Sequence, residues 1–68
     1  MRGFMEFTNS LGGNRVMIAV SEIEAVTENR SGKAVIILKD HDETLTAVET
    51  YDEIRTRLDA CIREANSI

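Results

Sequence analysis

Ala34-Val35-Ile36-Ile37-Leu38 is an uninterrupted apolar run of five residues, a length matched in the chain only by Val16 to Val20, and it is bounded on either side by Lys33 and Lys39. It is far too short to span a bilayer. A brief run rich in β-branched side chains and set between turn formers is the pattern of a strand whose two faces both seek burial. Ile36 and Leu38 then point to one side of the strand, and Val35 and Ile37 to the other. The chain has only 68 residues, and a domain of that size withdraws only about 60% of its unfolded surface from water. One thin core is the limit. A deep cleft enclosed within one subunit is disfavoured, and an enzyme comes last among the function classes.

The segments around this run read as further strands. Phe4-Met5-Glu6-Phe7-Thr8 alternates and runs into Asn9-Ser10-Leu11-Gly12-Gly13-Asn14, a cluster of turn formers. Arg15 to Val20 then sets Val16, Ile18 and Val20 on one face, so a second strand pairs back on the first. Ile23 to Glu28 suits a third strand, and Asn29-Arg30-Ser31-Gly32 is a turn that makes a hairpin with the fourth, Lys33 to Lys39. Asp40-His41-Asp42-Glu43 leads into a fifth, Thr44 to Val48.

At Thr50 the period changes. Thr50-Tyr51-Asp52-Glu53 has the Thr-x-x-Glu form of a capping box, which opens a helix. Ile54, Leu58, Cys61, Ile62 and Ala65 follow on one stripe, and Asp59 with Arg63 forms an i, i+4 pair in the favourable order. The helix is expected to end near Ala65 or Asn66. The expected fold is α+β, an antiparallel β-meander of about five short strands with one C-terminal amphipathic helix. There is no proline, linker or fixed-period repeat, so a single small domain is expected over residues 1–68.

One helix covers one face of a sheet, which leaves the second face of the fourth strand to be covered by something else. Either the sheet curls over itself as a partial barrel, or a second subunit packs there. The thin core of a short chain gains most from association, which favours a homo-oligomer, dimer or higher.

The charge is distributed unevenly. Twelve acids against eight Lys and Arg give −4 at pH 7, and residues 40–53 hold six acids with no Lys or Arg. Asp52 and Glu53 belong to the first turn of the helix, where the dipole favours carboxylates. Asp40, Asp42, Glu43 and Glu49 remain as candidates for binding a basic protein partner. Candidates for holding a small charged ligand, such as a nucleotide phosphate at a symmetric interface, are Arg15, Arg30, Lys33 and Arg55. Arg55 and Arg57 splay to different sides of the helix and acids sit among them, so DNA binding is disfavoured.

Chemistry is not signalled. His41 lies between carboxylates, but consecutive turn residues point apart and do not converge on a metal. Cys61 is read as a small core residue of the helix stripe and not as a nucleophile. No serine stands in a nucleophile elbow, and Gly12-Gly13-Asn14 lacks the Lys-Ser/Thr of a phosphate loop. No catalytic residue, metal or cofactor is expected. A single cysteine, an N-terminus without a signal-peptide core and the absence of a long apolar run point to a cytoplasmic protein without membrane contact.

A short strand, a glycine turn and the stretch Val16-Met17-Ile18-Ala19-Val20-Ser21-Glu22-Ile23-Glu24-Ala25-Val26 are followed by the Gly32 turn and Val35-Ile36-Ile37-Leu38. A polar turn, a short strand and Thr50-Tyr51-Asp52-Glu53-Ile54 complete the order. This order resembles the small FlbD-like proteins over most of the chain. The resemblance implies a compact β-meander with one C-terminal helix, in a family tied to flagella in some bacteria, with similar short proteins encoded by phages.

Three functions are consistent with these features. The first is a non-catalytic oligomeric binding module that uses sheet faces, an unpaired edge strand or an intersubunit groove. The second is a phage-encoded inhibitor of a host system, either an acidic blocker of a basic protein surface or a sponge for a charged nucleotide between subunits. The third is a small transcription regulator.

Overall fold

A computed structural model of the chain describes residues 3–39 and 43–66. Five strands precede one helix: β1 Phe4–Thr8, β2 Arg15–Ala19, β3 Ile23–Glu28, β4 Lys33–Leu38, β5 Thr44–Thr50 and α1 Tyr51–Asn66. All pairings are antiparallel. The elements fall where alternation and the capping signal put them, with small shifts at the ends. Val20 leaves β2 to start a single 3-10 turn, Val20–Glu22, and β5 runs on to Thr50, where the helix begins.

The meander is divided. β1 and β2 form a hairpin and β3, β4 and β5 a three-stranded sheet, because the 3-10 turn interrupts pairing between β2 and β3. The turn is tied on both sides, with the Val20 amide donating to the Gly3 carbonyl and the Lys39 amide to the Glu22 carbonyl. The two sheets meet elsewhere, at a single antiparallel bridge between Asn9 and Ala47, next to which the Ser10 amide donates to the Thr46 carbonyl. Counting that bridge, the spatial order is β2-β1-β5-β4-β3. The sheet therefore bends back on itself, with its first and last strands in that order joined only through the 3-10 turn.

Inside this bend lies the core. Met5 and Phe7 of β1, Ala34 and Ile36 of β4, Ala47 of β5 and Ile54 of α1 are buried, and Val16, Ile18, Val20, Ile23, Val26, Leu38, Leu45, Leu58 and Cys61 pack around them. The register of β3 shifts between Ile23 and Ala25. This bulge lets Ile23 and Val26, three residues apart, both face the core where strict alternation would separate them.

Helix α1 opens on its capping box. The Thr50 amide donates to a Glu53 carboxylate oxygen at 2.9 Å, and the Glu53 amide donates to the Thr50 hydroxyl at 3.2 Å. Ile54, Leu58 and Cys61 face the core, but Ile62 is 42% exposed. Its direction lies about 80° around the helix from Ile54 at the helical repeat, at the margin of the stripe. Among the described residues no helix is long and apolar enough to cross a membrane.

Candidate functional site

Two surfaces stand out, a groove between β1 and α1 and the outer face of the three-stranded sheet. The groove follows from strand geometry. In an antiparallel pair, alternate residues turn both backbone groups to one edge, and β1 uses Met5 and Phe7 toward β2 and Phe4, Glu6 and Thr8 toward the other edge. That other edge meets β5 only at the Asn9–Ala47 bridge. Past it, side chains take over from a partner strand.

The Thr8 amide donates to both oxygens of the Glu49 carboxylate, at 2.9 and 3.1 Å, and the Thr8 hydroxyl adds a third bond at 3.2 Å. Arg57 donates to Glu49 at 2.7 Å and to the Glu6 carbonyl at 3.1 Å. One turn further along α1, the Cys61 thiol donates to the Phe4 carbonyl at 3.1 Å. These groups border an open groove of about 450 Å³, lined by Met5, Glu6, Thr8, Glu49, Arg57, Ala60 and Cys61.

Burial pushes the Glu49 carboxyl up. The Thr8 amide, then the Arg57 guanidinium and further hydrogen bonds outweigh it, and the group lies below the ordinary carboxylate value. Its side chain is only 11% exposed, whereas that of Arg57 is 43% exposed. The arrangement holds a charge in place, with the carboxylate fixed by the Thr8 amide and hydroxyl and by the Arg57 guanidinium. Among the described residues no three His, Cys, Asp or Glu converge on a point that could hold a metal ion.

The second surface is the reverse of the core. With Ala34 and Ile36 buried, Val35 and Ile37 turn outward and are half-buried. The register sets Val35 between Thr27 and Thr46, and Ile37 between Ala25 and Thr44. Val48 extends the same face of β5 and is 47% exposed. None of these seven residues carries a charge; Lys33 and Lys39 stand at the two ends of the central row, and exposed Glu24, turned off the core side with Ala25 by the β3 bulge, stands at the margin.

The sequence candidates separate into groups. Glu49 is engaged within the chain by Thr8 and Arg57, so its charge is already met. Glu43 is exposed just before β5, while Asp40 and Asp42, with His41, lie outside the described residues. Arg30 and Lys33 lie in and after the Asn29–Gly32 turn, which is joined to the start of α1 by the Tyr51 amide donating to the Gly32 carbonyl. Lys33 pairs with Thr50, and Arg55 follows one turn into the helix. The fold thus brings Arg30, Lys33 and Arg55 to one end, and sets Arg15 apart at the start of β2, opposite Thr8.

Thr8 and Arg57 were not singled out from sequence. The i, i+4 spacing of Glu53 and Arg57 within the helix carries a signal for an acidic neighbour of Arg57, but none for Glu49, which lies in β5. Thr8 gives none, because its role depends on where β1 parts from β5. Comparison with family models, with curated proteins and with solved structures found no match to this chain.

Proposed function

We propose that the protein is a non-catalytic interaction module that works as an assembly of copies of itself, dimer or higher, joined through the outer face of β3, β4 and β5. The observation that supports this reading is the outer face centred on Val35 and Ile37, whose charges stand at its margins. The acidic excess of the chain lies in residues 40–53, and a face whose centre carries no charge lets two copies meet at low electrostatic cost. An apolar centre with Lys33 and Lys39 at its margins also has the anatomy of an interface with a polar rim.

Sedimentation equilibrium tests it. The wild-type chain is expected to run well above the 7.6 kDa of one copy, and Ile37→Lys to run as a monomer with its fold intact. A wild-type monomer at tens of micromolar contradicts the reading. The resemblance to FlbD-like proteins suggests a flagellar or phage-encoded setting for such a module, which gene neighbourhood would test.

A small anionic ligand is the second reading, favoured by the gathering of Arg30, Lys33 and Arg55 at the end of the molecule where the Gly32 carbonyl meets α1. A ligand that binds only the folded state raises its stability, by about 2.7 kcal/mol at a hundredfold excess over Kd. Pyrophosphate or a nucleoside monophosphate is expected to raise the melting temperature of the wild-type chain and to leave that of Arg30→Gln/Lys33→Gln unchanged. Equal shifts in both would remove this reading.

A further inference from the structure

The edge of β1 that faces α1 is hydrogen-bonded at three successive positions by side chains and not by a strand. Cys61 takes the Phe4 carbonyl, Arg57 the Glu6 carbonyl and Glu49 the Thr8 amide. Phe4, Glu6 and Thr8 are the alternate residues through which an incoming strand would pair. The groove of about 450 Å³ runs along this edge, within the range of about 300–1,000 Å³ found for ligand sites. Its helix wall is low, since Ala60 presents only a methyl group.

We propose that the groove is a strand-addition site for an extended peptide of another protein that carries a Lys or Arg opposite Glu6. The peptide backbone donates to the Phe4 and Glu6 carbonyls in place of Cys61 and Arg57, while Arg57 keeps its bond to Glu49. The Phe4 and Glu6 carbonyls each exchange one donor for another, a thiol and a guanidinium N–H for peptide amides, so neither carbonyl is left unsatisfied. Side chains of the peptide alternate, one set lying over Ala60 and Cys61 and the other beside Phe4, Glu6 and Thr8.

Charge selects the occupant. Of the two carboxylates lining the groove, Glu49 is paired with Arg57, and among the described residues Glu6 has no ion-pair partner. A cation opposite Glu6 completes a cross-strand pair. A second copy of β1 added antiparallel about its centre sets Glu6 against Glu6, like charges directly opposite, and is disfavoured for that reason. The site is separate from self-association through the outer face of β4, which is read by mass and not by events at β1.

The test is a titration of the isotopically labelled full chain with two blocked peptides, Thr-Val-Lys-Val-Thr and Thr-Val-Glu-Val-Thr, followed by backbone amide shifts. The expected result is movement of the Phe4, Glu6 and Thr8 amides, with the Lys peptide binding roughly two- to fivefold tighter at low salt. Glu6→Gln, at an exposed position, is expected to make the two peptides equal. No shift at β1 with millimolar Lys peptide, shifts confined to the β3 edge, or equal affinity of both peptides for the wild-type chain would overturn the proposal. So would shifts at β1 that depend on the chain's own concentration without peptide, which would assign the edge to a second copy.

Discussion

Glu49 shows how a single carboxylate can serve a fold where a strand pairing stops. It sits one residue before the helix cap, and its oxygens take the Thr8 amide that a β5 carbonyl would have taken had the ladder continued. Replacing it by glutamine leaves one amide acceptor but removes the charge that Arg57 faces. We expect Glu49→Gln to lose about 1–2 kcal/mol, the range for hydrogen bonds to charge discounted for the exposure of Arg57, as read by urea denaturation. The pH dependence has a definite sign. The folded-state carboxyl lies below its ordinary value, so its contribution is fully present above the ordinary carboxylate range and is lost as pH falls through that range to the folded value. Wild-type stability should therefore fall more steeply under acid than that of Glu49→Gln, and parallel curves would contradict this role. From sequence Glu49 read as part of an acidic block open to a partner. The charge was legible, but its use was not, because Thr8 lies 41 residues away and local spacing does not see such contacts.

At the scale of elements the signals were local and strong. The Thr50–Glu53 box is formed by both of its hydrogen bonds, and Thr50→Ala should cost about 1 kcal/mol of stability while Thr50→Ser retains most of it; equal loss in both variants would count against the cap. The Asn29–Gly32 turn is held by the Asn29 side chain, which accepts from the Ser31 and Lys33 amides at 2.9 and 3.0 Å. Gly32 has φ +80°, and a Cβ there would meet only a Glu28 carboxylate oxygen at 3.9 Å. Gly32→Ala should therefore cost about 1 kcal/mol through backbone conformation and not through crowding, measurable by thermal melting. Strands β1 to β4 and the helix were legible because alternation and capping are written within a few residues. What alternation does not contain is the shift in β3 between Ile23 and Ala25, or the 3-10 turn at Val20–Glu22 that divides the meander. Both depend on which strand lies alongside.

Across the whole molecule, the two devices foreseen for covering β4 need not exclude one another. The sheet does bend, since β1 reaches β5 at Asn9–Ala47, and that bend gives Ala34 and Ile36 their full burial. Ile36→Ala should cost about 2–5 kcal/mol. The bend leaves the opposite row, Val35 and Ile37, outside the core cluster, and for these residues a second copy is the proposed cover. The most direct measurement of that contact is an isotope-filtered nuclear Overhauser spectrum from an equal mixture of labelled and unlabelled chains. Methyl contacts between copies are predicted among Val35, Ile37, Thr46 and Val48. Their absence at concentrations of hundreds of micromolar, or contacts between copies confined to other residues, would contradict the account.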